Sequence, residues 1–192
     1  MGSLVKGYSD AEVLTAVSHL KNFDGFPSKY WLALVRAAEK RPNKFNDKFY
    51  LFNGERFIDV YVGTTLPGVT GLRRPKNVRG CAVVGAGYWF KDAWKYGFHR
   101  GKIRAYVQDK PLPIHRDNDR DDYAEELGQP TWEIRGINIH PDDYNLEMLT
   151  EKQFINGWSE GCQVFAIPNE FKQFRTITNG QPFLSAGLLN EW

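Results

Sequence analysis

Lys48-Phe49-Tyr50-Leu51-Phe52-Asn53-Gly54-Glu55-Arg56-Phe57-Ile58-Asp59-Val60-Tyr61-Val62-Gly63 sets the texture of this chain. Two short runs, 48–53 and 56–63, are rich in aromatic and β-branched residues, which suit a pleated, half-buried surface. Asn and Gly stand between them and punctuate the backbone. Working outward, runs of the same kind recur at 81–85, 102–107, 111–115, 132–140 and 162–167, separated by Gly, Pro and Asn. Short strands at this spacing predict a mostly β domain. Strand and helix do not alternate, which excludes a doubly wound parallel sheet. Upstream, Ser9-Asp10-Ala11-Glu12 has the capping-box pattern. Val13, Leu14, Val17 and Leu20 follow at helical spacing, so 9–21 is predicted as a helix that stops before Asp24-Gly25-Phe26-Pro27. Residues 30–40 read two ways. Tyr30 to Arg36 has the length and aromatic content of a strand, while Ala37-Ala38-Glu39-Lys40 leans to helix. Arg41-Pro42-Asn43 stops either.

At 192 residues the chain suits one domain with a sizeable core. Apolar residues make up 42% and aromatics 15%, which argues against disorder. The net charge of +2 comes without any basic block and gives no case for nucleic-acid binding. Nothing resembles a secretory leader, and no run of about 18 apolar residues offers a membrane span. The expectation is a monomer made in the cytoplasm. Two cysteines, Cys81 and Cys162, make no disulfide framework. Cys81 sits in the small apolar run Gly80 to Gly85 and reads as a buried, inert thiol.

Cys162 reads differently. It lies in Trp158-Ser159-Glu160-Gly161-Cys162-Gln163, and upstream the chain has Gly136-Ile137-Asn138-Ile139-His140. A cysteine attacks as its thiolate and needs a neighbouring base. Imidazole titrates near neutral pH and is the usual choice. Glycine before the nucleophile permits a sharp turn and leaves N–H groups to face a developing oxyanion. His140 and Cys162 are therefore the candidate base and nucleophile, with Gly161 and Cys162 supplying the oxyanion donors. Ser159 reads as a bond within the turn, a bond to the histidine, or a helix cap. Trp158 reads as core or cleft wall.

A histidine ending a strand, then a loop, then Ser-x-Gly-Cys resembles the L,D-transpeptidase catalytic domain. The matching positions are His140, Ser159, Gly161 and Cys162, and Val60 to Gly68 is similar to that family's strand and Thr-Pro-x-Gly turn. The family has Gly after the histidine where this chain has Pro141, and Arg two residues after the cysteine where it has Val164. The order Asn43 to Asp47, Thr64 to Gly68, Arg116 to Asn118, Ile137 to His140 and Trp158 to Val164 is closer to divergent, phage-type members. The resemblance implies an L,D-transpeptidase-like β-sandwich or barrel, mainly β (α+β), with a short N-terminal helical region. It implies a single catalytic domain over 1–192, with a preface at 1–45 and a catalytic core at 46–175. It also implies peptidoglycan stem peptides as the partner, handled through a Cys162 thioester by hydrolysis or transpeptidation. Arg116, Trp158 and Asn138 are then the substrate-side candidates, with Arg116 replacing the missing arginine or pairing with adjacent aspartates. Such an enzyme would act on the cell wall after release or as part of a virion.

Other readings remain open at this point. A non-enzymatic wall-binding or virion module would keep the fold. A sortase-like transpeptidase also runs His, Cys, Arg, with Arg175 as its arginine. The carboxylates Asp117, Asp119 and Asp121 alternate as in a calcium loop. Asp122 and Gly128 stand where that loop wants Gly and Glu. A solvated acidic turn is the plainer reading and a structural calcium site the other. No cofactor is expected, and no zinc spacing is present. His19 and His99 read as surface residues. The segment 142–156 reads as a short helix or a flap over the cleft.

Overall fold

A computed structural model describes residues 7–39 and 43–192. Helix α1 (Asp10–Ser18) begins where the sequence predicts. The Ser9 hydroxyl accepts from the Glu12 N–H, and the Glu12 carboxylate accepts from the Ser9 N–H. The stretch 30–40 resolves as strand β1 (Tyr30–Arg36). The stop signal at Arg41 and Pro42 lies outside the described residues. The remaining elements are β2 (Asp47–Asn53), β3 (Arg56–Thr64), α2 (Val69–Arg73), β4 (Cys81–Val84), β5 (Tyr88–His99), β6 (Ile103–Gln108), β7 (Leu112–Asp117), β8 (Thr131–Glu133), β9 (Ile139–Pro141), β10 (Gln163–Phe165), α3 (Pro168–Thr178) and β11 (Phe183–Asn190).

Eight strands close into a barrel in the order β1-β11-β5-β6-β9-β10-β3-β2, and β4-β7-β8 form a separate three-stranded sheet. The fold is thus mainly β, as the sequence predicts, and its larger sheet is a closed barrel. Most pairs are antiparallel. β1 with β11 and β9 with β10 are parallel. The barrel takes in β1 from the preface and β11 from beyond residue 175, so residues outside 46–175 close it.

β1 explains its own ambiguity. Leu32 and Leu34 point into the main core, while Trp31, Ala33 and Val35 join a second core under α1 with Val13, Val17 and Trp89. A strand buried on both faces shows no alternation and cannot be told from a buried helix by period. Helix α3 sends Phe171 and Phe174 into the main core against Phe165.

The predicted strand 132–140 is broken in two. Between β8 and β9, Gln108 Oε1 accepts from the N–H groups of both Arg135 and Ile137, at 2.9 Å each. Gly136 there takes φ +71°. A buried side chain thus replaces a neighbouring strand as the partner of this backbone, as buried N–H groups require. The freed segment becomes a cleft wall.

Candidate active site

The parallel pairing of β9 and β10 brings the two motif segments together. Gln163 stands opposite Ile139 and Val164 opposite His140, so Cys162 faces Asn138 one step upstream. Side chains alternate along strands. Ile137, Ile139 and Phe165 face the main core. Cys162 and Val164 face the other way, in a small cluster with Phe45, Ile155 and Ala166. His140 shares that outer face, two residues along from Asn138.

The turn before Cys162 requires glycine. Gly161 has φ +117°, and a Cβ there would lie 2.5 Å from the Ala82 carbonyl oxygen. Ser159 is fully buried and organises the turn. Its hydroxyl accepts from the Gly161 N–H at 3.2 Å and donates to the Cys162 carbonyl at 3.0 Å. Of its three readings, the bond within the turn is the one observed. The Gly161 N–H is therefore occupied, while the Cys162 N–H has no acceptor among the described residues.

The thiol borders a cleft of about 370 Å³ whose walls include His99, Arg100, Arg116, Asn138 and Trp158. Its sulfur accepts from the Asn138 N–H at 3.4 Å and lies 3.5 Å from the Gly136 carbonyl, to which the S–H donates. No hydrogen bond joins it to His140 among the described residues. Burial pushes the Cys162 thiol up to about 11, although the Asn138 N–H and Arg100 oppose the rise. Cys81 is buried, and burial pushes its thiol up to about 12.

His140 is buried and does not border the cleft. Its Nδ1 lies 2.8 Å from the Pro141 carbonyl. A carbonyl only accepts, so Nδ1 carries the proton and Nε2 keeps its lone pair. Burial first, then the nearby His99, push His140 down to about 3.

His99 is not a surface residue. It is 3% exposed, borders the cleft and stacks on His140 with ring centroids 4.0 Å apart. Asn138 orients it. The Asn138 Oδ1 accepts from the Gln108 N–H at 2.9 Å, so its amide nitrogen faces His99 Nδ1 at 3.0 Å and must donate. His99 is then neutral, with its proton on Nε2. Burial, reinforced by Arg100, pushes it down to about 4. Asn138 thus holds His99 in place while lining the cleft. Only the long-range pairing of β5, β6 and β9 reveals His99, and nothing in its local sequence signals it.

Arg116 lines the cleft but is engaged. Its guanidinium pairs with Glu133, which Arg135 also contacts and Arg79 reaches at 3.0 Å. Burial works against the Glu133 charge, but bonds from Thr131, Arg135 and Arg116 hold the carboxyl down to about 2. The partner of Arg116 is therefore Glu133 and not the adjacent aspartates. Arg175, on α3, donates to the Arg104 carbonyl of β6 and does not border the cleft. Trp158 is a wall residue, packed edge-on to Tyr144 at 5.3 Å with the Lys152 ammonium 4.0 Å over its ring. Segment 142–156 is irregular rather than helical.

The carboxylates of the acidic run are engaged locally. Asp119 and Asp121 cap the N–H groups of Asp121 and Tyr123, Asp117 accepts from Glu125, and Asp122 pairs with Arg73 at 2.5 Å. Among the described residues no group of three or more His, Cys, Asp and Glu is placed to hold a metal ion. No helix among them is long and apolar enough to cross a membrane.

No family model, no curated protein and no solved structure matches the chain.

Proposed function

We propose that the protein is a cysteine-dependent enzyme that cuts or rejoins peptidoglycan stem peptides through a thioester on Cys162. The observation that carries the reading is the parallel pairing of β9 with β10. It sets a cleft-facing thiol and a buried imidazole, whose Nε2 has no partner among the described residues, on one face of the barrel. Cys162 attacks the peptide carbonyl, and His140 Nε2 takes the thiol proton and returns it to the leaving amine. The Cys162 N–H faces the oxyanion. Water then releases the acid, or a second amine takes the acyl group. At rest the thiol donates to Gly136, so it must rotate toward His140 before attack. The sequence resemblance extends the reading to a phage cell-wall-degrading enzyme.

The test is incubation with purified muropeptides and mass spectrometry of the products. New amines and carboxylates mean hydrolysis, and higher-mass adducts mean transfer. Cys162→Ala is expected to abolish turnover with an unchanged melting temperature, while Cys81→Ala retains turnover. Full activity in Cys162→Ala, or equal loss in both variants, refutes the thiol mechanism. The absence of a thiol–imidazole bond favours one other reading, a wall-binding module without catalysis. Muropeptide binding without turnover by the unaltered protein would establish that instead.

A further inference from the structure

We propose that Arg100, at the tip of the β5–β6 hairpin, is the carboxylate-binding residue of the cleft and holds an anionic group of the ligand beside Cys162. The identity of that ligand as a stem peptide rests on the reading above.

Four cations line the cleft: Lys76, Arg100, Arg116 and Arg135. Three are already paired. Lys76 meets Glu160 at 2.9 Å, and Arg116 and Arg135 share Glu133. Arg100 has no ion-pair or hydrogen-bond partner among the described residues, and its side chain is exposed at the cleft mouth. An unpaired guanidinium offers a planar fork of donors that matches a carboxylate in two parallel hydrogen bonds. The sequence offered Arg116 for this duty, but its engagement by Glu133 removes it.

The backbone supplies a second argument. Arg100 and Gly101 both have positive φ, +49° and +67°, and the Lys102 N–H closes the turn on the His99 carbonyl at 2.9 Å. A two-residue turn of this kind prefers Asn-Gly, because both central residues need left-handed backbone. A residue with a Cβ is disfavoured there. Strain of this sort gathers at functional positions. The turn is also fixed relative to the thiol. His99, next in the chain, is stacked on His140 and held by Asn138, whose own N–H touches the Cys162 sulfur. The positive charge of Arg100 reaches the reacting group, since it favours the Cys162 thiolate and disfavours the protonated forms of His99 and His140.

The test compares alkylation of Cys162 by iodoacetate and by iodoacetamide at one pH and low salt, with peptide mapping to separate Cys162 from Cys81. Both reagents attack the same thiolate, so the ratio of their rates cancels any change in thiol pKa and reads the attraction for a carboxylate. Arg100→Gln is expected to lower the ratio about fivefold, the discounted effect of a charged hydrogen bond at an exposed position. Added salt should shrink the difference. An unchanged ratio in Arg100→Gln overturns the proposal. A second arm measures KM for a muropeptide with its terminal carboxyl free or amidated, and Arg100→Gln should raise KM only for the free acid. If the ratio falls but neither muropeptide is processed, the carboxylate site stands and the stem-peptide reading fails. If both are processed and the ratio does not move, the enzyme reading stands and Arg100 is excluded.

Discussion

At the residue scale the resting site is a neutral thiol near a neutral imidazole. Burial holds the Cys162 thiol up to about 11 and His140 down to about 3, so neither carries charge at pH 7. This differs from a preformed thiolate–imidazolium pair, which titrates well below a free thiol. The two cases separate in the pH dependence of Cys162 alkylation by iodoacetamide. We expect the rate to rise continuously from pH 6 into the alkaline range with no neutral plateau. A plateau between pH 6 and 8 would mean a standing ion pair and would contradict the neutral site. His140, Ser159, Gly161 and Cys162 were legible in the sequence because their chemistry is local. The glycine turn, the serine that ties it and the strand-ending histidine are all written in short segments. His99, Arg100 and Gln108 were not legible, because each acts through partners brought by the pairing of β5, β6 and β9. A histidine at a hairpin corner reads as solvent-exposed until Asn138 and His140 are placed against it.

Among the elements, the segments that carry the resemblance turn out to touch. Asn43 Oδ1 accepts from the N–H groups of Val69 and Asn156, and its amide donates to Asn156 Oδ1 at 2.9 Å. Asp47 accepts from both the N–H and the hydroxyl of Thr65. Gly68 donates to the Ser159 carbonyl at 3.0 Å, and a Cβ there would lie 2.2 Å from the Asn156 oxygen. The start of β2, the turn after β3 and the loop before Cys162 are thus one clamped unit. Segment 142–156 ends on that clamp and is also pinned where the Asn169 N–H donates to the Met148 carbonyl and Ile155 is buried. It is a packed cover over His99 and Trp158 rather than a free flap. Asn43→Ala removes three hydrogen bonds at a half-exposed site and is expected to cost about 1–2 kcal/mol. Amide exchange at Val69 and Asn156 should accelerate selectively. Uniform acceleration across the barrel, or none at these two amides, would contradict the clamp. Strands with aromatic and β-branched runs, such as β2 and β3, were readable in advance. β5 and β11 were not. β5 carries Lys91, Asp92 and Lys95 on its outer side, with Asp92 at φ +50°, and opposite it the pairing with β11 shifts register near Ser185. β11 narrows to Ser185-Ala186-Gly187 at its centre, where a Cβ on Gly187 would lie 2.7 Å from Leu20, just past α1. Burial on both faces removes the alternation that marks a strand.

On the scale of the whole molecule, closing the barrel buries ionisable groups of both signs, and their effects on acid stability oppose one another. His99 and His140 are held neutral, down to about 4 and about 3 from the ordinary imidazole value of 6.5. The unfolded chain therefore binds more protons at these positions between about pH 4 and 6.5. Their contribution to stability is complete above 6.5 and is lost as pH falls toward the folded values. Asp142 is the reverse. Burial raises its carboxyl to about 7 despite the Lys152 bonds, and its Oδ1 is buried without a hydrogen-bond partner among the described residues. The folded state binds the extra proton there, so its contribution is complete below the ordinary value of 3.8 and is lost as pH rises through 7. Asp117, raised to about 6 by burial, acts in the same direction. Wild-type stability should thus vary little between about pH 4.5 and 6 on account of these four groups. Single variants expose the hidden slopes. Relative to His99→Gln, the wild type should lose up to about 1.4 kcal/mol per pH unit as pH falls from 6.5 to 4.5. Relative to Asp142→Asn, it should gain stability over the same fall. Urea unfolding at a series of pH values measures both differences. A flat His99→Gln difference would show that His99 is hydrated and titrates as an exposed histidine, contrary to its burial against His140 and Tyr144.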